Sequence, residues 1–287
     1  MQTHLDCIPC FLHQSLEAAR MATSDEHVHE QVMKQVMKYL GTIDFHSSPP
    51  EISREVHAII KRETGVQDPY LQVKNQANNQ AKQQLPQLQE MVDTAYDPLL
   101  MTVKLAIVGN VIDFGTMNRL DSKEMINNIN DIPFNNQVFP LFEKRANNAK
   151  TVLYLSDNTG EIIFDRLLVD QLVKRNCQVT FAVKKNPIIN DATRKDAEFA
   201  EIDKIATIIE GDDGSSYSAP GFVSDLTSTE FKDLLSSVDL VISKGQGNYE
   251  SLNDEQREIF FLLMVKCPLV AGVINIDVGT MVLTVNQ

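Results

Sequence analysis

The sequence predicts an α/β protein: a mostly parallel, Rossmann-like sheet preceded by an all-helical region. Three observations carry that prediction. In residues 1–100 apolar side chains recur at three-and-four spacing, and hardly any stretch alternates like a strand. From residue 150 the pattern changes to short β-branched runs, most of them apolar without alternation, as strands covered on both faces must be. Helical stretches lie between several of these runs, which is the punctuation of βαβ units.

Taken in order, helices are predicted over residues 11–21, 27–40, 53–64, 69–84 and 85–95, separated by turn signals such as Ser47-Ser48-Pro49-Pro50 and Gly65. Residues 96–114 open on Asp97-Pro98, a cap and first-turn pair, and continue as a largely apolar helix ending in GNVIDFG at 109–115. Strands are predicted at 151–155, 178–183, 205–209, 240–243, 269–274 and 281–285, with helices at 161–175, 192–201 and 228–235. The chain is thus expected to divide into a helical domain, residues 1–100, and an α/β catalytic domain, residues 101–287.

Bulk composition narrows the function. With 43% hydrophobic and 23% charged residues the chain has globular values, which argues against disorder. A net charge of −13 disfavours nucleic-acid and membrane partners, and any anionic substrate must be met by a local cation. The first residues, MQTHLDCIPCFLHQ, lack the basic-then-apolar order of a signal peptide. The longest apolar run near the C-terminus, 260–265, is far too short to span a bilayer. Cys7, Cys10, Cys177 and Cys267 do not form a disulfide framework, so a reducing cytoplasm is expected. Nothing in the sequence sets an oligomeric state.

In open parallel sheets ligands collect at the carboxyl ends of strands. Three such ends here are dense in oxygen ligands, amides, lysines and glycines: Asp157-Asn158-Thr159-Gly160-Glu161, the stretch from Lys184 to Asp191, and KGQGNYE at 244–250. Asp157 and Asp191 supply two negative charges and Asn158 a carbonyl oxygen, the donors a hard cation such as Mg²⁺ or Mn²⁺ prefers. Each aspartate alone reads first as a helix cap. Together, beside a lysine-glycine turn, they read as a metal site. Lys244 and the glycine-loosened amides that follow it suit a phosphate. Dinucleotide binding is disfavoured, because the turn SDNTGE has one glycine where the fingerprint needs three.

DNTGE at 157–161, GNVIDFG at 109–115, KGQGNYE at 244–250 and the early CIPC together resemble the damage-control phosphatase family, long catalogued as domain of unknown function 89, in its prokaryotic CxxC-bearing branch. The resemblance implies a helical N-terminal region packed on a Rossmann-like three-layer α/β/α core. It also implies a phosphatase that uses a divalent metal (Mn, Co, Ni or Mg) on small phosphorylated metabolites, such as sugar phosphates or damaged cofactor precursors. The family's metal ligands match Asp157, Asn158 and Asp191, and a lysine beyond the glycine turn matches Lys266. Its phosphate- and substrate-contacting turn matches Lys244, Gly245, Gln246, Gly247, Asn248, Tyr249 and Glu250. Asn110 and Asp113 match its GNxxD motif beside the site, and Asp113 or Glu161 is expected to position the attacking water. Lys244 and Lys266 are expected to offset charge on the transferring group.

His4, Cys7, Cys10 and His13 recur every third residue, which is compatible with zinc, a redox pair or plain packing on one side of a helix. Two rival functions stay in view: a Rossmann-type transferase, and a non-catalytic metal- or nucleotide-binding regulatory module. The first lacks its glycine fingerprint; the second would bind metal without turnover.

Overall fold

The computed structural model describes residues 1–111 and 124–286. Asp113 therefore lies outside the described residues. The N-terminal region is helical: α1 Cys7–Ala22, α2 Glu26–Leu40, α3 Pro49–Thr64, α4 Leu71–Thr94 and α5 Pro98–Val111. Local chemistry fixes their ends. The Asp25 carboxylate accepts from the His27 N–H at 2.9 Å to cap α2. Ser48 and Glu51 form a reciprocal capping box on α3, which ends at Gly65 in the left-handed region. The helices predicted at 69–84 and 85–95 are one helix, α4, with Pro86 inside it. Ala77, Ala81, Leu88 and Val92 keep a single buried stripe on both sides of the proline, and that packing outweighs the lost hydrogen bond.

A seven-stranded sheet follows, with strands β1 Phe134–Asn135, β2 Thr151–Leu155, β3 Gln178–Val183, β4 Thr207–Glu210, β5 Leu240–Lys244, β6 Phe260–Met264 and β7 Met281–Val285. Their spatial order is β1-β7-β6-β5-β2-β3-β4, and every pairing is parallel except β6 with β7. The connecting helices are α6 Phe139–Asn148, α7 Glu161–Lys174, α8 Arg194–Phe199, α9 Thr229–Ser237, α10 Gln246–Leu252 and α11 Pro268–Ile274.

Alternate residues of β2 serve opposite layers, as the two-residue period of a strand requires. Val152 and Tyr154 join a core with α4, α5 and α7, while Leu153 and Leu155 join one with α9, α10 and α11. The molecule is therefore a three-layer α/β/α core, and α1 to α3 share a third apolar cluster of their own.

One expectation is reversed. Residues 269–274 are helix, not strand, and the run 260–264 is the strand. Both are apolar and without period, so pattern alone cannot separate them. Pro268 at the first turn and the Cys267 sulfur, accepting from the Val270 N–H at 3.5 Å, start a helix there. The run FFLLM instead lies fully buried between β5 and β7.

The chain runs β2 to β3 to β4 on one side, then crosses to β5 and β6 on the other. The switch point falls between β2 and β5, where ligands bind in open α/β sheets. The three turns singled out in the sequence follow β2, β3 and β5, so topology gathers them.

Candidate active site

Asp157 lies two residues beyond the end of β2, and Asp191 ends the turn after β3. Neither is a helix cap. The N-cap of α7 is Gly160, and α8 is capped by a box between Thr193 and Asp196. The two turns are instead zipped to each other. Ala192 N–H donates to the Asp157 carbonyl at 2.7 Å, Thr159 N–H donates to the Asn190 carbonyl at 2.8 Å, and Asn158 and Asp191 form an antiparallel bridge. Backbone pairing thus brings Asp157, Asn158 and Asp191 together.

Both carboxylates are buried. Burial, reinforced by the nearby Glu161 charge, pushes Asp157 up to about 6, against the pull of Lys266 and the Asn110 hydrogen bond. Asp191 is raised well above the usual carboxylate range by burial, with the Asp157 charge adding and Lys184 opposing. Two like charges share one buried place, and no Lys or Arg among the described residues makes an ion pair with either. A bound cation would relieve both penalties at once.

The surroundings orient these groups. The Asp157 Oδ2 accepts from Asn110 Nδ2 at 2.6 Å and from Asn158 Nδ2 at 2.9 Å. With its amide nitrogen turned to carboxylates, Asn158 keeps its carbonyl oxygen, the end that could meet a cation, free of hydrogen bonds among the described residues. Asp191 Oδ2 accepts from Gly221 N–H at 3.4 Å. Gly245, at φ 80°, is pressed so close that an added Cβ would lie 1.8 Å from Asp157 Oδ2. Gly109 plays a similar part on α5: a Cβ there would meet Phe164 at 3.0 Å, so its absence lets α5 bring Asn110 against α7. These donors, two carboxylates and amide oxygens, suit a hard divalent ion completed by water. Among the described residues no three His, Cys, Asp or Glu side chains form a ligand cluster.

The KGQGNYE turn splits into two faces. Gln246, Gly247 and Glu250 line a cavity of about 610 Å³. Lys244, Asn248 and Tyr249 face inward. The Lys244 ammonium donates to the Ala106 carbonyl at 2.7 Å, to Asp165 Oδ1 at 2.7 Å and to Glu161 Oε1, so all three of its protons are used inside the protein. Burial works against that charge, but Asp165 and Glu161 outweigh it and hold the lysine above its ordinary value. The expected direct contact of Lys244 with phosphate is corrected on this ground. The same holds for Glu161 as a water-positioning group, since it is fully buried between Lys244 and Asn110.

Asn248 spends its amide on the Ser156 and Lys244 carbonyls and the Phe222 N–H, locking three loops together. Tyr249 packs edge-on against Phe261 at 5.1 Å and belongs to the core. Neither is placed to touch substrate. Lys266 is exposed, and its ammonium donates to the carbonyl of Asn110, whose amide holds Asp157, at 2.6 Å.

Several residues of the site escaped the sequence reading. Asp165 pairs with Lys244 and accepts from the Tyr154 hydroxyl at 2.8 Å. A signal for it existed: it lies four residues after Glu161 in the same helix, hence on the same face. Lys184 sits buried over the Phe222 ring and donates to the Gly221 carbonyl. Asn78 reaches from α4 to accept from Gly160 N–H at 2.8 Å and donate to Asp196 at 2.8 Å, tying the helical region to both turns. Nothing in the glutamine- and asparagine-rich sequence of α4 marks it.

Cys7 and Cys10, in the first turn of α1, line the 610 Å³ cavity together with Cys267. Burial pushes the Cys7 and Cys10 thiols up. His4 precedes α1 and His13 is exposed beside Glu17, so the four-residue constellation on one helix side does not form. A separate cavity of about 490 Å³ between α1 and α2, lined by Arg20 and His29 among others, shares no residue with the strand-end site.

A family model described as the damage-control phosphatase ARMT1-like domain matches residues 3–282. An uncharacterised protein of Methanocaldococcus jannaschii is 35% identical over 97% of this chain and 93% of its own length. A protein of Archaeoglobus fulgidus named damage-control phosphatase is 34% identical over 96% of each chain. A crystal structure of a DUF89 family protein from Pyrococcus horikoshii superposes with a TM-score of 0.88 at 28% identity, covering 100% of both chains.

Proposed function

The chain belongs to the damage-control phosphatase ARMT1-like family, and from that premise we propose that it hydrolyses phosphate monoesters of small, often damaged, metabolites with a divalent metal held by Asp157, Asn158 and Asp191. The observation that carries this reading is the pair of buried, zipped-together aspartates that make no ion pair with any Lys or Arg among the described residues. Mn²⁺, Co²⁺, Ni²⁺ and Mg²⁺ all suit the donor set. Such an ion, when bound, polarises a phosphoryl oxygen and lowers the pKa of a coordinated water.

The chain's own residues do the rest. Asn110 and Asn158 fix Asp157 through Oδ2, so its second oxygen stays available. Gly221 N–H holds Asp191, and Asn78 holds the backbone of the turn between Asp157 and Glu161. Lys266 stands at the rim as the exposed cation able to offset phosphate charge. Lys244 acts one layer below, setting the positions of Glu161 and, through it, Asn110. Among the described residues no helix is long and apolar enough to cross a membrane. Four unpaired cysteines suit a reducing cytoplasm.

The test is phosphate release from a panel of sugar phosphates and other monoesters, with and without chelator. Release should cease in chelator and return with one of the four ions. Full activity after exhaustive metal removal, or no release with any ion, would overturn the reading.

A further inference from the structure

The 610 Å³ cavity stops one residue short of the carboxylates. Its Gly247 packs against Pro220, and the next residue, Gly221, donates to Asp191. That position fits the part of a substrate which leaves when phosphate is cut.

The charge of this cavity is one-sided. Among the described residues that line it there is no Lys, Arg or His, and the charged members are Asp6 and Glu250. The neighbouring cations are turned elsewhere, the Met1 ammonium to the Glu250 carbonyl at 2.8 Å and to the Asp254 carboxylate at 3.1 Å. Lys61 donates to the Pro187 carbonyl, Lys184 to the Gly221 carbonyl and Lys266 to the Asn110 carbonyl. Arg54 donates to the Tyr217 carbonyl at 3.0 Å and to Ser215 Oγ at 3.0 Å. The remaining walls are mostly apolar side chains and thiols, with Gln14 and Ser53 as neutral polar groups. Ser53 is 5% exposed, and its hydroxyl has no hydrogen-bond partner among the described residues.

A substrate bound here meets one compensated place for negative charge, at Asp157 and Asp191 once a cation is present. A second anion would lose its water beside the exposed Asp6 carboxylate and the Glu250 carboxyl, which burial pushes up to about 7, with no lysine, arginine or histidine in the lining to receive it, a cost that works against the wrong substrate. An uncharged, hydroxyl-bearing group loses little, and offers Ser53 and Gln14 partners. Resting on the phosphatase reading above, we propose that this cavity is the leaving-group subsite and that it selects esters carrying a single anionic group. The preferred class is the monophosphate of an uncharged polyol or similar alcohol; bisphosphates and phosphorylated acids are excluded.

Matched pairs test this with metal-loaded protein: glycerol 3-phosphate against 3-phosphoglycerate, and glucose 6-phosphate against 6-phosphogluconate. Each pair differs chiefly by one carboxylate. The uncharged partner is expected to have kcat/KM at least about tenfold higher in both. Gln14→Lys, on the half-buried face of α1, places a cation in the cavity and should narrow the ratio to about threefold or less by raising the charged partner. Ratios within about twofold in the parent, or a ratio unmoved by Gln14→Lys in a variant with unchanged circular dichroism, would overturn the selectivity and leave hydrolysis standing. No phosphate release from any member of the panel would overturn both readings together.

Discussion

Two pairs of buried carboxylates lie within a few residues of each other, and the protein treats them in opposite ways. Glu161 and Asp165 share the Lys244 ammonium, and Tyr154 gives Asp165 a further hydrogen bond. Asp157 and Asp191, one turn away, have amide donors but no ion-pair partner among the described residues. Burying a charge without compensation is expensive, and folded chains avoid it unless something is gained. The neutralised pair belongs to the architecture that sets α5, α7 and β5 together. The unneutralised pair is where, on the proposed function, an outside cation would complete the charge balance.

The sharpest way to break this contrast is to exchange the two fates. Asp157→Asn keeps shape and removes one ligand charge. It should lower kcat by about 10³-fold or more, as losses of this kind at a transition-state stabilising group do. Steady-state phosphate release at saturating metal measures it, and turnover near the parent's would return Asp157 to a structural role. Lys244→Met does the reverse: it leaves Glu161 and Asp165 buried without their cation. Unfolding in urea should show a loss of about 3–5 kcal/mol. A loss under about 1 kcal/mol would mean that the pair is not what the geometry indicates.

Lys266 lies between the two cases, charged and exposed at the rim. Lys266→Met should cost about 10²-fold in kcat/KM, with a stability change under about 1 kcal/mol. Kinetics within about threefold of the parent would remove it from the site.

The same contrast has a pH dependence that serves as an internal control. Burial holds His57 down at about 3, well below its ordinary 6.5, with the Lys61 charge adding. The unfolded chain takes up that proton near 6.5 while the folded one refuses it. Its stability contribution is therefore present above 6.5 and lost as pH falls toward 3, at up to about 1.4 kcal/mol per pH unit. Asp157 has the opposite sign. With its carboxyl raised from 3.8 to about 6, stability is favoured below 3.8 and lost as pH rises through 6. Denaturation curves of the parent and His57→Gln between pH 7 and 4 should separate the two, the variant losing less on acidification. Parallel curves would contradict the assignment.

Much of this contrast could be read in the sequence, and the rest could not for definable reasons. The strands at β2, β3, β5 and β7 were legible because apolar, β-branched runs bounded by turn residues have few other homes in an α/β chain. The run at 269–274 reads as a strand, and 260–264 carries no assignment, because neither has a period; Pro268 and the Cys267 cap decide between them. Asp157, Asn158 and Asp191 were legible as strand-end donors, and their convergence depends on two backbone hydrogen bonds between turns that no pattern displays. Lys244 was read outward because a lysine before GQG suits a phosphate. Its true direction is set by two carboxylates on α7, about eighty residues earlier in the chain. Within KGQGNYE, helix periodicity then sends 246, 247 and 250 to the cavity and 248 and 249 to the core. That division follows once α10 is known to be a helix, and it was invisible while the motif was read as one phosphate loop.

The most direct measurement of the central claim is the stability of parent and Asp157→Asn protein, in chelator and in excess Mn²⁺, at pH 7. The uncompensated carboxylates predict a parent that gains about 2.7 kcal/mol when free metal is a hundred times its Kd. They also predict that Asp157→Asn is more stable than the parent in chelator, by up to about 3 kcal/mol, since it no longer buries a second like charge. The variant should respond weakly to metal or not at all. A parent indifferent to every divalent ion, together with a variant less stable than it in chelator, would contradict the account.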